Sequence, residues 1–236
     1  MKAELVEHWG TDLTVVNAAR VSMDKESEWD LEPAADVGPD VWERVLSDRD
    51  KKLVSYLARE GHTSCFEHQG ATLRLKVPIF IARQIQRHRT FSYNEISRRY
   101  VDTDPEFYWP DKWRKRADNV KQGSSDEEVV TGWWRAADNS YPVQERVEEH
   151  LAMTVELYED MLKAGVAPEL ARMILPQNMY TEFYMTGNLR AWAHFLNLRL
   201  DAHAQKEVRD VAEQVRDTLV PLWPVSMEAL LENSAG

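Results

Sequence analysis

The feature that most constrains the fold is a short stretch of alternating side chains, ATLRLKV, at residues 71–77. The polar residues of this stretch separate four apolar ones, which are Ala71, Leu73, Leu75 and Val77. Successive side chains of a β-strand point to opposite faces, so the alternation predicts a strand with one buried face. A second segment, YTEFYMTG at residues 180–187, also resembles a strand. Any fold of this chain must therefore cover one face of a sheet.

Most of the other apolar patterns have the spacing of amphipathic helices. They predict helices from Thr11 to Ala19, through residues 53–57 to a stop at Gly61, from Pro78 toward Arg87, from Val143 to Ala164, from Pro168 to near Pro176, and in two segments from Asn188 to Val220. Residues 24–42 are acidic and interrupted by Pro and Gly, and we expect a loop there. Residues 111–141 are polar, and we expect a mobile excursion that is partly helical around Trp133 and Trp134. Because no internal repeat or linker is evident, these patterns predict a single α+β domain over residues 1–236.

Length and composition limit the class of protein. The 236 residues are 43% apolar, which is ordinary for a soluble domain, and no segment reaches the roughly 18 apolar residues of a membrane span. The N-terminal residues lack the apolar core of a signal peptide. A single cysteine, Cys65, excludes an internal disulfide and gives no sign of an oxidising compartment. A cytoplasmic protein is therefore expected.

A cluster of fixed donors, RHRTFSYNEISRRY at residues 87–100, contrasts with the formal net charge of −11. Four arginines lie in it, and a guanidinium matches the geometry of phosphate or carboxylate. The acidic chain disfavours a general polyanion surface, so the cluster suggests a small anion site. A salt-bridged helix end is the alternative, because cations favour helix C-termini. Both interpretations remain open from these residues alone.

The segment GHTSCFEH at residues 61–68 places His62, Cys65 and His68 three residues apart. Structural zinc normally takes four protein ligands, and no fourth ligand has matching spacing, so we predict no metal site. Cys65 could be a nucleophile if it ionised to a thiolate, but a packing role is the more ordinary one.

Charged residues also interrupt two apolar segments nearer the C-terminus. Arg172 lies within ELARMILP (169–176), where a cation must be paired or used. The segment NLRAWAHFLNLRLDAHAQ (188–205) carries Arg190, His194, Arg199 and His203. Each residue alone could be structural, but together they require an explanation.

With these motifs in place, the sequence resembles the flavin-dependent thymidylate synthases. The family motif, Arg-His-Arg followed by spaced Ser, Asn, Ser, Arg and Tyr, is filled by Arg87, His88, Arg89, Ser92, Asn94, Ser97, Arg99 and Tyr100. The similarity extends through AARVS (18–22), GHTSCFEH, PIFIARQIQRHR (78–89), ELARMILP and the 188–205 segment. It covers most of the chain outside the 24–42 and 111–141 excursions.

The resemblance implies an α+β fold with a central, mainly antiparallel sheet packed by helices. It implies synthesis of dTMP from dUMP, with methylenetetrahydrofolate as carbon donor and NADPH supplying electrons through bound FAD. It also implies a homotetramer with shared active sites, and neither a membrane nor an obligatory nucleic acid as partner. The arginine cluster would then bind the FAD pyrophosphate and the dUMP phosphate.

The resemblance also implies roles for individual residues. Positions that match FAD contacts are Ser64, Arg87, His88, Arg89, Glu95, Asn188, Arg190 and His194, with Ser22 and Glu67 as weaker members. Positions that match dUMP contacts are Gln84, Arg87, Glu95, Ser97, Arg98, Arg99, Arg172 and Arg199. Arg199 matches the catalytic arginine that stabilises uracil deprotonated at N3, and His62 and Tyr100 fall on the folate and nicotinamide side. Two positions depart from the pattern, since some relatives have Asn at the place of His194 and Gly at the place of Arg98.

Two alternatives to a flavin-dependent enzyme are considered. A nucleotide- or RNA-binding protein without catalysis could use the same cluster, but it would need neither a flavin pocket nor Arg199. A cysteine-dependent thymidylate synthase shares the reaction but not these motifs. Bound flavin in the purified protein would separate the enzyme from the binding protein.

Overall fold

The computed structural model of the protein describes residues 1–34, 41–97, 105–118, 123–133 and 140–232. Its strands are β1 (Lys2–Trp9), β2 (Asp30–Pro33), β3 (Trp42–Val45), β4 (Gly70–Pro78), β5 (Ser92–Glu95), β6 (Arg114–Arg116), β7 (Ser124–Glu128), β8 (Thr131–Trp133), β9 (Ser140–Pro142) and β10 (Tyr180–Asn188). Its helices are α1 (Asp12–Arg20), α2 (Asp48–Arg59), α3 (Ile79–Ile85), α4 (Val143–Lys163), α5 (Pro168–Ala171), α6 (Leu189–Arg199), α7 (Lys206–Leu219) and α8 (Pro224–Glu232). Four strands form one antiparallel sheet in the order β1-β4-β10-β5. The predicted α+β class with a central antiparallel sheet is confirmed.

The interior strand β4 is the strand predicted from the alternating residues 71–77, and its four apolar side chains are completely buried. Phe183 and Met185 of β10 lie opposite Leu75 and Leu73, which extends the same apolar face across the sheet. Side chains of α6, α7 and α8 belong to the core that covers this face. The sheet therefore gives a rigid base for the segments that leave its ends.

Most helices lie where the apolar spacing predicts them. Helix α1 follows Thr11, α4 ends before Gly165, and α2 ends just before Gly61, whose φ of +69° suits glycine. Asn188 caps α6, because its side-chain oxygen accepts a hydrogen bond from the amide of Ala191 at 2.9 Å. Pro78 is not in the first turn of α3 but ends β4 and serves as the N-cap.

The expectation of a loop over residues 24–42 is wrong for part of that segment. Strands β2 and β3 form an antiparallel hairpin, with Asp30 opposite Val45 and Pro33 opposite Trp42. Pro33 is the last residue of its strand, where the missing N–H is tolerated. Residues 35–40, which connect the two strands, lie outside the described residues.

The expectation of helix around Trp133 is also wrong. Strand β8 pairs with β9, and Trp133 lies opposite Ser140, while β6 pairs with β7 earlier in the same segment. Threonine and tryptophan fit a pleated strand well, and this local preference agrees with the observed pairing. Trp134 lies outside the described residues.

The sequence patterns did not predict β1 or α8. The first turn of α8 is fixed by the buried carboxylate of Asp12, which accepts hydrogen bonds from the amides of Val225 at 3.1 Å and Ser226 at 3.0 Å. The capping residue is more than 200 positions away in the chain, so no local pattern could show it.

Candidate active site

One end of the sheet gathers most of the residues that match flavin contacts. Asn188, at the end of β10, lies opposite Gly70, at the start of β4. Thr186 lies opposite Ser92, at the start of β5. The loop with residues 87–89, the turn that precedes β4 and the first turn of α6 therefore meet at this end.

Close packing of the backbone fixes the loop between α3 and β5. Gly187 faces the ring of Phe91, and a Cβ at this glycine would lie 2.5 Å from two ring atoms. Phe91 is buried and packs edge-to-face on Trp192 of α6, with ring centroids 4.7 Å apart. This packing holds the arginine-bearing loop against the start of α6.

The centre of the site is a contact between Arg199 and His88. Arg199, the last residue of α6, donates from Nε to His88 Nε2 at 3.0 Å and from Nη2 to the carbonyl oxygen of Gln84 at 2.8 Å. His88 is buried, and the hydroxyl of Tyr93 donates to its carbonyl oxygen at 2.9 Å. Three predicted site residues from α3, its following loop and α6 are thus joined directly.

The protonation state of His88 follows from this contact. Burial lowers its pKa from 6.5 to about 4, and the nearby charges of Arg199 and His194 act in the same direction. The imidazole is therefore neutral near pH 7, and its Nε2 can accept the hydrogen bond. Burial also lowers the pKa of Arg199, but a guanidinium remains protonated at neutral pH. The guanidinium of Arg199 is thus the charged member of the pair.

Several other residues that match FAD contacts lie in the segments that meet at this end of the sheet. Arg87, Arg89, Ser64 and His194 are exposed, and the His194 ring lies 5.9 Å from that of His88. Arg190 donates to Glu67 at 2.5 Å, which links α6 to the turn before β4. Because these side chains are exposed, a ligand bound at this end of the sheet can reach them.

Glu95 lies at the end of β5 and is exposed. Its carboxylate accepts hydrogen bonds from Gln86 Nε2 at 3.0 Å and from the hydroxyl of Thr181 at 2.5 Å. Ser97 follows two residues later. The next three site candidates, Arg98, Arg99 and Tyr100, lie outside the described residues.

Three further candidates have contacts with residues other than Arg199, His88 and Gln84. Arg172 is exposed in the short turn after α5, and its Nε donates to the carbonyl oxygen of Glu169 at 3.4 Å. It is not among the described residues that line a cleft beside Arg199. Ser22 is exposed and donates to the carbonyl oxygen of Ala19 at 3.0 Å. His62 is exposed and stacks on Tyr56, with ring centroids 6.0 Å apart.

A cleft of about 740 Å³ opens beside Arg199. Gln84 and Arg199 line it together with residues that the sequence did not single out, including Arg114, Gln205, Lys206 and Arg209. Asp126 also lines the cleft, and Arg114 and Lys206 are paired with Glu207 and Asp210, so Arg199 and Arg209 are the lining cations that best suit an anionic ligand. Arg114 was missed because it lies in the polar 111–141 excursion, and the sequence there gives no signal of its contact with Glu207, which is 93 positions away.

Cys65 and the neighbouring histidines show no catalytic arrangement. Cys65 is 8% exposed and belongs to the hydrophobic core. His62 and His68 are exposed. In the ranges that the structure covers, no group of three or more His, Cys, Asp or Glu side chains is placed to hold a metal ion. The position of Cys65 agrees with a packing role.

Comparison with known proteins identifies the class. A family model described as "Thymidylate synthase complementing protein" matches residues 4–225. The chain is 39% identical over 230 residues to a protein named "Flavin-dependent thymidylate synthase" from Kosmotoga olearia, with 96% of this chain and 88% of that one covered. A relative of the same name from Thermus thermophilus is 38% identical over 238 residues, with 98% and 77% covered. The chain belongs to the flavin-dependent thymidylate synthase family.

A solved structure agrees with this assignment. The crystal structure of the UMP/dUMP methylase PolB from Streptomyces cacaoi, bound with 5-Br dUMP, has a TM-score of 0.74 and 33% sequence identity to this chain. The comparison covers 98% of this chain and 94% of that one. Among the described residues, none of the helices combines the length and apolarity that a bilayer crossing requires.

Proposed function

We propose that the protein makes dTMP from dUMP by reductive methylation, with electrons carried by a bound flavin. The observation that carries this proposal is the contact of Arg199 with neutral His88 and with Gln84, at the edge of a cationic cleft. The family of the chain and its similarity to a methylase whose structure holds 5-Br dUMP support the same reaction.

FAD is the flavin that fits the residues at the end of the sheet. Exposed Arg87 and Arg89 offer planar guanidinium groups that match a pyrophosphate. Ser64, Asn188, Arg190 and His194 lie around the same surface and would hold the remaining parts of the cofactor. When bound, the flavin supplies the electrons that complete the methyl group.

The nucleotide would bind in the cleft beside Arg199. A guanidinium has five N–H donors, so Arg199 can hold His88 and Gln84 and still donate to a ligand. A fixed cation next to uracil favours the ring deprotonated at N3 and so activates its carbons. Glu95, Ser97, Arg98 and Arg99 complete the proposed dUMP set, with Arg172 supplied by a neighbouring subunit.

A homotetramer with shared sites is part of the same proposal. Exposed apolar side chains support a subunit contact near Arg172, and they are Met153, Leu157, Leu170 and Met173, each more than half exposed. We further propose that methylenetetrahydrofolate gives the carbon, that NADPH gives the electrons, and that this single-domain protein works in the cytoplasm.

Release of tritium from dUMP labelled at C5 tests the proposed reaction. Replacement of the hydrogen at C5 by a methyl group must release the label, so the complete mixture with FAD, NADPH and methylenetetrahydrofolate is expected to release tritium and form dTMP. Omission of the folate should stop dTMP formation. Tight binding of dUMP without dTMP under any combination would instead support a nucleotide-binding protein.

A further inference from the structure

A relay of hydrogen bonds connects a buried carboxylate on α7 to the proposed nucleotide cleft. We propose that Glu207 is a positioning residue that acts through Gln205 to fix the side chain of Gln84 for the nucleotide. The inference rests on the proposed function, because it assumes that dUMP occupies the cleft lined by Gln84, Gln205 and Arg199.

Glu207 is well suited to act as a fixed anchor. It is 3% exposed, and Arg114 Nη2 donates to both of its oxygens, at 2.7 Å to Oε1 and 2.9 Å to Oε2. Burial alone would raise the pKa of this carboxyl, but the hydrogen bonds from Arg114 and Gln205 outweigh burial and lower it. The group therefore remains an ionised carboxylate, which can only accept hydrogen bonds.

This acceptor determines the orientation of the next two amides. Gln205 must turn its Nε2 toward Glu207, and it donates to Oε2 at 2.9 Å. The Oε1 atom of Gln205 then faces Gln84 and accepts from Gln84 Nε2 at 2.6 Å. Each amide can satisfy its neighbour in one orientation only, so the carboxylate sets the direction of both.

The relay fixes the side chain of Gln84, and a separate hydrogen bond from Arg199 already fixes the backbone of this residue. The backbone carbonyl oxygen of Gln84 accepts a hydrogen bond from Arg199, and the side-chain Nε2 of Gln84 donates to Gln205. The side-chain oxygen of Gln84 is thereby turned away from Gln205, in a fixed direction, at the edge of the cleft. A ligand that contacts this amide meets one preset arrangement of donor and acceptor instead of two that interconvert.

A double-mutant comparison of Glu207 and Gln84 tests the relay. The measured quantity is the dissociation constant for dUMP on flavin-loaded protein. Glu207→Gln introduces an N–H₂ donor at the anchor and releases the fixed orientation, and we expect about tenfold weaker dUMP binding. Gln84→Ala removes the end of the relay and should weaken binding at least as much. Because both act on the same contact, the double variant should bind dUMP no more weakly than Gln84→Ala alone.

A matched control separates positioning from general destabilisation. Asp50 is another buried carboxylate paired with an arginine, Arg20, and it is not among the described residues that line the proposed cleft. Asp50→Asn is expected to lower the thermal midpoint without a change in dUMP affinity. If Glu207→Gln does not fold, Gln205→Leu breaks the same relay and leaves the Arg114–Glu207 pair intact, with the same expected coupling to Gln84→Ala.

Four results would overturn the inference. Unchanged affinity in the relay variant, losses that add in the double variant, or an equal loss in Asp50→Asn would each show that Glu207 does not act through Gln84, while the proposed function would stand. Failure of the wild-type protein to bind dUMP would overturn the proposed function itself, and the relay with it.

Discussion

Single residues set the charge of the site, and His88 is the clearest case. A buried imidazole next to Arg199 avoids a second positive charge by losing its proton, which leaves Nε2 as an acceptor. The pair thus combines one permanent cation with one neutral partner that orients it. Protonation of His88 would place two cations at 3.0 Å and remove the acceptor.

This state of His88 predicts a dependence of stability on pH. Folding lowers the pKa of His88 from 6.5 to about 4, so the unfolded chain binds a proton in this interval that the folded chain does not. The contribution is intact above pH 6.5 and is lost progressively as the pH falls toward 4. When the pH falls from 6.5 to 4, the free energy of unfolding of the wild-type protein, measured with urea, should decrease by about 1 to 3 kcal/mol more than that of His88→Gln.

The matched control for that measurement is His150→Gln, which replaces an exposed histidine on α4. It should follow the pH profile of the wild-type protein, with flavin concentration held constant throughout. If His88→Gln and wild type lose the same free energy of unfolding, then folding does not lower the pKa of His88 and the account of its contact with Arg199 is wrong.

At the scale of elements, the ends of helices carry much of the site. Helix α6 begins at the proposed flavin surface and ends at Arg199, so its position sets both halves of the site. Asn188 fixes the first turn of this helix through the amide of Ala191 and also matches a flavin contact. One residue would then have a structural and a ligand-binding role.

Two substitutions of Asn188 separate these roles. Asn188→Ala removes the cap and should lower the free energy of unfolding of the flavin-free protein by about 1 kcal/mol. Asn188→Asp keeps an acceptor at the cap and should retain most of that stability, while flavin titration should show weaker binding because a carboxylate lacks the N–H donors of the asparagine amide. Equal stability in all three proteins would remove the capping role.

How far the sequence predicts the fold depends on the range of the interaction. The strand at residues 71–77 and the start of a helix at Asn188 come from local patterns, and both predictions are confirmed. The docking of α8 on Asp12 and the pairing of β8 with β9 depend on partners that no periodic pattern identifies. The first joins residues more than 200 positions apart, and the second overrides an expectation of helix.

The same distinction holds for the site. Arg199, His88 and Gln84 were predicted through the resemblance to a family, and the structure brings them into contact. Glu207 was missed because an acidic residue in the first turn of a helix is ordinary for its favourable interaction with the helix dipole. Its contacts with Arg114 and Gln205 exist only in the folded chain.

At the scale of the whole molecule, Arg172 is the residue to explain, because it is not among the described residues that line the cleft beside Arg199 in one chain. A shared site would explain its exposure beside apolar side chains of α4 and α5. Light scattering of the purified protein should give a mass near four times 27.4 kDa. A Met173→Lys variant should lower that mass and the rate of dTMP formation together, because a charge in a subunit contact is costly.

A charge-changing control is Glu28→Lys, which alters an exposed residue outside the proposed contact. It should leave the assembly unchanged. A wild-type monomer with full activity would contradict the shared site and with it the proposed place of Arg172.

The central claim is that Arg199, oriented by His88 and Gln84, promotes the reaction of dUMP on a flavin-loaded protein. The most direct test is the rate of dTMP formation by Arg199→Lys, which keeps the positive charge but cannot donate in one plane to His88, Gln84 and a ligand. We predict that this variant folds, retains its flavin absorbance and loses at least about 100-fold in turnover. Turnover equal to that of the wild-type protein, with flavin and dUMP bound normally, would contradict the claim.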